Sequence, residues 1–118
     1  MCLLDDYYQA NRERFDIKIV YINEAHAADI WNIGESAGVI NYSHQQITDR
    51  ITCSQNLLQE FNSTLNIYCD NMNNDFETVF AAWPVRFFVV HNKQIKLINT
   101  VIDSQVDICA ILACLESQ

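Results

Sequence analysis

The stretch Asp16-Ile-Lys-Ile-Val-Tyr-Ile-Asn-Glu-Ala-His26 decides how the rest of the chain is read. Residues 16–22 alternate β-branched, aromatic and polar side chains, the pattern of a strand set in a sheet. The run ends in a carboxylate and an imidazole two residues apart. Glu24 and His26 therefore leave the carboxyl end of a strand, the place where open α/β sheets put their chemistry.

Upstream of that strand, Leu3 to Arg14 reads as a helix. Leu3, Leu4, Tyr7, Tyr8 and Asn11 share a face; Asp5 and Asp6 suit its first turn, and Arg12 and Arg14 its last. Downstream, a loop passes Gly34 and Gly38, with Trp31 turned inward and a brief pairing at Val39 and Ile40. The clearest helix runs from Gln45 to Phe61, where Ile47, Ile51, Ser54, Leu57, Leu58 and Phe61 keep a 3.6-residue period. Leu65 to Cys69 is a second strand. The turn formers Asp70-Asn-Met-Asn-Asn74 close it and offer an N-cap to a short helix from Asp75 to Ala82. After Pro84, Val85 to Val90 forms a third strand, His91-Asn-Lys-Gln94 a solvated hairpin turn, and Ile95 to Val101 a fourth strand. Asp103 is the expected cap of a last helix ending near Glu116, with Val106, Ile108, Cys109, Ile111, Leu112 and Leu115 mostly inward.

The order is α-β-α-β-α-β-β-α, in one domain spanning 1–118. A helix joins the first two strands, which should be parallel with a right-handed crossover; the last two form an antiparallel hairpin. The fold class is α/β, a thioredoxin-like three-layer arrangement with a mixed sheet of about four strands and the opening strand of that fold missing.

Composition narrows the function classes. Half of the residues are hydrophobic, enough for a packed core, and only two glycines and one proline occur. A net charge of −8 argues against nucleic acid and against an anionic membrane surface. No apolar run approaches the roughly 20 residues of a membrane helix. Met-Cys-Leu-Leu passes at once to Asp5 and Asp6, so no signal peptide is expected. The five cysteines are irregularly spaced without a CxxC, which fits buried or free thiols better than a disulfide framework. Cys109 and Cys114 fall on different helix faces and read as core packing.

Tyr21-Ile-Asn-Glu-Ala-His26 with Asp29 and Trp31, then His44 to Arg50, then Cys69-Asp-Asn-Met72, then Ala81-Ala-Trp-Pro-Val-Arg86 together resemble the iodothyronine deiodinase family over roughly residues 15–92. The resemblance implies a thioredoxin-fold oxidoreductase that removes iodine from thyroid hormone, or a related halogenated aromatic, by attack of a selenocysteine or cysteine on the halogen. It needs no bound cofactor and takes a thiol reductant as co-substrate. Glu24 and His26 match the catalytic proton-handling pair; His44, Arg86 and Tyr21 match substrate-binding positions; Pro84 matches the structural proline before the third strand. The chemistry has use for these groups. A ring carbon that loses iodonium must gain a proton, and an arginine fork suits a ligand carboxylate.

The chain departs from the family at three places. Asn23 stands where the family has a first glutamate. Asn99-Thr-Val-Ile-Asp103 replaces a glycine-rich link before the last helix. The opening strand and its nucleophile are expected just before Met1. A selenocysteine codon is also a stop codon, so a reading restarted at the next methionine would yield such a chain. Cys2 is a poor substitute, since no strand precedes it to hold its thiolate. The chain as written is therefore expected to be inactive. It is also expected to expose edges that self-association, as a homodimer, would cover. The resemblance places a membrane anchor upstream, which leaves the compartment open.

Taken singly, Glu24, His26 and Arg86 would be ordinary surface or ion-pairing residues; their joint order moves them into one pocket. Glu24, His26 and His44 have ligand chemistry for zinc, but no tight two-histidine spacing supports a metal site, and none is expected. Trp31 and Trp83 read as core or pocket-wall aromatics. The rival to a dehalogenase is a non-catalytic thioredoxin-like module that binds a ligand or protein through the same cleft. The missing CxxC argues against a general thiol oxidoreductase.

Overall fold

The structure is a computed structural model, and it describes residues 2–24, 43–101 and 105–118. Its elements run α1 (Cys2–Asn11), β1 (Lys18–Tyr21), α2 (Ile47–Glu60), β2 (Asn66–Cys69), α3 (Asp75–Phe80), β3 (Arg86–His91), β4 (Gln94–Thr100) and α4 (Ile108–Glu116). The expected mixed α/β class and element order stand, with ends shifted by a few residues. Among the described residues the strands pair as two two-stranded sheets, β1 with β2 and β3 with β4. The chain divides into two compact units, Met1–Trp83 and Pro84–Gln118.

In the first unit β1 and β2 pair in parallel, with Lys18 opposite Asn66 and Tyr21 opposite Cys69. Parallel strands need a long crossover, and the segment containing α2 supplies it. Asp5 ties α1 to the entry of β2: its Oδ1 accepts from the Thr64 backbone N–H at 2.7 Å and the Ser63 hydroxyl at 3.0 Å. Asp49, in the first turn of α2, accepts from the backbone N–H groups of Gln45 and Gln46 at 3.0 and 3.1 Å. A carboxylate there satisfies orphan donors and meets the positive end of the helix.

The inner face of α2 follows expectation only in part. Ser54 is buried as expected, but Ile47, Ile51 and Phe61 are exposed and Arg50 is buried instead. Periodicity identifies residues that share a face, not what that face meets. Here positions 50 and 54, one turn apart, meet the carboxyl end of β2. Cys69 Sγ donates to Ser54 Oγ at 3.4 Å, and Arg50 Nη1 donates to the Asp70 and Asn71 carbonyls at 3.2 and 2.8 Å. A buried cation is tolerable when its donors are matched in this way.

The turn after β2 caps α3 from upstream. Asn74 is the N-cap residue in left-handed conformation, and its own side chain makes no capping bond. Asp70 takes that role instead, accepting from Phe76 N through Oδ1 and from Glu77 N through Oδ2, both at 3.0 Å. Leu65 and Ala82 are the buried apolar residues described for this unit. Trp83 is exposed rather than part of a core. Trp31, Val39 and Ile40 lie outside the described residues.

In the second unit β3 and β4 form the expected antiparallel hairpin, Arg86 opposite Thr100 and His91 opposite Gln94, with a bulge between Val89 and Val90. Asn92 and Lys93 make the two-residue turn with φ of 51° and 62°. Positive φ at both central residues is the requirement of a type I′ turn, whose twist matches that of the strands. α4 begins later than expected. Its cap is Asp107, which accepts from Ala110 N at 2.9 Å, whereas Asp103 lies outside the described residues. Ile111 is buried and Cys109, expected inward, is exposed. Val89 is the other buried apolar residue among those described for this unit.

Candidate functional site

The polar residues that gather in the first unit do so because β1 and β2 end together. With Tyr21 opposite Cys69, the segment reaching Glu24 and the turn at Asp70 leave the same edge of the sheet. The start of α2 closes on that edge and brings His44 just ahead of it.

Tyr21 donates its hydroxyl to Glu24 Oε1. The Tyr21 ring lies 6.0 Å from the His44 ring at 43°. His44 is 8% exposed, and its Nε2 lies 3.9 Å from Glu24 Oε1, with no hydrogen-bond partner for that nitrogen among the described residues. On the other side of the ring, Arg50 Nε donates to His44 Nδ1 at 3.0 Å. Three expected residues, Tyr21, Glu24 and His44, are thus one cluster. His26 lies outside the described residues. Pro84 is exposed at the start of the second unit, and Arg86 opens β3 there.

Burial sets the electrostatics. It pushes the His44 imidazole below its ordinary pKa, the Arg50 charge adds to that, and Glu24 opposes it. It pushes the Tyr21 phenol up, helped by the hydrogen bond to Glu24. The Cys53 thiol is raised by burial and then by the Glu24 charge. The cluster near neutral pH therefore contains a neutral imidazole, a protonated phenol and a protonated thiol.

Cys53 joins the cluster from the buried side of α2, and the sequence reading missed it together with Arg50. The signal was the spacing of Arg50, Cys53 and Ser54 at i, i+3 and i+4, which puts all three on one helix face. Glu24, His44 and Cys53 each offer one ligand atom, and those atoms lie within 4.8 Å of one another. Zinc accepts such donors. The Arg50 contact weighs against it: a neutral ring that accepts at Nδ1 carries its proton on Nε2. A metal at Nε2 would have to displace that proton and leave the ring with none.

Comparison with known proteins gives a consistent picture. Residues 3–101 match the family described as iodothyronine deiodinase. The chain is 30% identical over 80 residues to the type I iodothyronine deiodinase of Xenopus laevis, covering 68% of this chain and 31% of that protein. It is 30% identical over 80 residues to the thyroxine 5-deiodinase of Sparus aurata, covering 68% and 29%. It is 28% identical over 89 residues to the type II iodothyronine deiodinase of Fundulus heteroclitus, covering 71% and 33%. The chain spans about a third of the length of these relatives.

Proposed function

The chain belongs to the iodothyronine deiodinase family, and on that premise we propose that it supplies the proton-handling and ligand-binding part of a thioredoxin-like reductive dehalogenase. The observation that carries the reading is the convergence of Tyr21, Glu24 and His44 at the end of β1, within the stretch matched to the family. The substrate is thyroid hormone or a related halogenated aromatic.

In the proposed reaction a selenolate or thiolate attacks iodine. The carbon–iodine bond breaks, iodine passes to the chalcogen, and the ring carbon takes a proton. A thiol reductant then releases iodide and restores the chalcogen. Glu24, with His26, manages the proton. His44 meets a ligand oxygen, with Tyr21 beside it; Arg86 is proposed as a carboxylate-binding residue on the family resemblance alone. The described thiol nearest this chemistry, Cys53, is held protonated and is a poor nucleophile. The attacking atom is proposed, on the family resemblance, to be carried by a selenocysteine- or cysteine-bearing strand.

The test is iodide release from thyroxine with dithiothreitol, by residues 1–118 alone and by the same residues joined to the selenocysteine- or cysteine-bearing strand of a relative. Release only from the joined protein is expected. A folded joined protein that binds thyroxine without releasing iodide would replace this reading with a non-catalytic binding module.

A further inference from the structure

Arg50 is an unusual residue for the inner face of a helix. It is 1% exposed, and its guanidinium spans two tasks. Nη1 is fixed by the Asp70 and Asn71 carbonyls at the end of β2. Nε points the other way, to His44 Nδ1 at 3.0 Å. An arginine N–H has only a proton to offer, so Nδ1 accepts with its lone pair. A neutral imidazole has one N–H, and here it must be on Nε2. That nitrogen is buried, without a hydrogen-bond partner among the described residues, and faces the side where Glu24 sits.

We infer that Arg50 is a positioning residue, which fixes His44 as the Nε2–H tautomer and presents that hydrogen as a permanent donor to a ligand oxygen. The inference rests on the reading of His44 as a ligand-binding residue. It adds the device that makes His44 a donor rather than an acceptor or a charged group. A free imidazole interconverts between tautomers and takes a proton near neutral pH. Pinned by a charged donor, it does neither. The titratable groups around it among the described residues are Tyr21 and Glu24 from the end of β1, and Asp49, Arg50 and Cys53 from α2. The two carboxylates favour a charged ring; burial and Arg50 outweigh them.

Nitrogen NMR of labelled residues 1–118 reads the tautomer directly. At pH 7 the native chain should show His44 with protonated Nε2 and unprotonated Nδ1. Arg50→Met should raise the Nδ1–H population of His44 about tenfold, the loss of roughly one charged hydrogen bond, and should move its titration midpoint upward. Arg50→Gln, which keeps an N–H donor, should restore much of the native tautomer ratio. A native His44 carrying its proton on Nδ1 overturns the inference with no variant needed. So does a folded Arg50→Met protein whose tautomer ratio and midpoint are unchanged. Added thyroxine tests the underlying reading separately. If the native tautomer is as stated and thyroxine leaves the His44 resonances unmoved, the ligand assignment fails while the role of Arg50 toward His44 stands.

Discussion

The Asp70 carbonyl accepts from Arg50 Nη1 at 3.2 Å while the Asp70 carboxylate accepts from the backbone N–H groups of Phe76 and Glu77 in the first turn of α3. One buried residue at the end of β2 thus holds a helix start on one side and the arginine behind His44 on the other.

Asp70→Ala should therefore act on the helix side alone, since alanine keeps the main-chain carbonyl that holds Arg50. It removes acceptors for the N–H groups of Asn71, Phe76 and Glu77. Loss of a cap with buried donors costs about 2 kcal/mol. Urea denaturation should show that loss, and hydrogen exchange should show faster opening of residues 75–80. Unchanged exchange there would mean that α3 does not depend on the cap.

Stability should peak between about pH 6.5 and 9. The folded protein holds His44 neutral below its ordinary value of 6.5, through burial and then Arg50, whereas the unfolded chain takes up a proton there. The unfolded state binds more protons in that window, so stability rises with pH and is lost as pH falls below 6.5. At the alkaline end, Cys53 and Tyr21 keep their protons past their ordinary values of 9.0 and 10.0, which the unfolded chain does not. Stability therefore declines above pH 9. Urea midpoints across pH 5–10 check both slopes, and His44→Gln should flatten the acid one.

Glu24→Gln, made in the protein joined to a nucleophile strand, should lower the rate of iodide release by about 10²–10⁴-fold, the usual worth of a positioned proton-transfer group. Tyr21→Phe removes only the hydroxyl that hydrogen-bonds Glu24 and should cost less. Equal effects from the two changes would argue that Glu24 acts only by holding Tyr21.

Lys93→Gly should stabilise the β3–β4 hairpin. Lys93 sits at φ 62°, a region that costs a residue with a Cβ about 1–2 kcal/mol. Glycine avoids that cost but loses about 0.5–1 kcal/mol of chain entropy. A net gain of about 0.5 kcal/mol follows, measurable as a higher thermal midpoint; a lower one would mean that the Lys93 side chain contributes more than the turn geometry costs.

Much of this was legible in the sequence. The parallel pairing of β1 and β2 follows from two strand patterns separated by a helix, and the hairpin from Asn92-Lys93 between two apolar runs. Glu24 and His44 stand out because a carboxylate ends a strand and a histidine precedes the clearest helix, whereas Tyr21 comes only from the family resemblance. Arg50 and Cys53 do not stand out, because apolar periodicity pointed to Ile47, Ile51 and Phe61 as the inward face of α2. A buried charge has no signature of its own in sequence. Its partners are backbone carbonyls at Asp70 and Asn71, twenty residues on, and any residue supplies those. The cap of α4 was misplaced for a simpler reason: Asp103 and Asp107 are equally good N-cap residues, and only the bond to Ala110 distinguishes them.

The matched register of β1 and β2 also makes the short first strand a ruler. Alternate residues of a strand face opposite ways, so one residue inserted between Lys18 and Tyr21 would turn the phenol to the far side of the sheet and dismantle the cluster. The same insertion a few positions earlier, in the turn before Lys18, would be absorbed. Tolerance to length change should therefore switch off abruptly at the first paired residue.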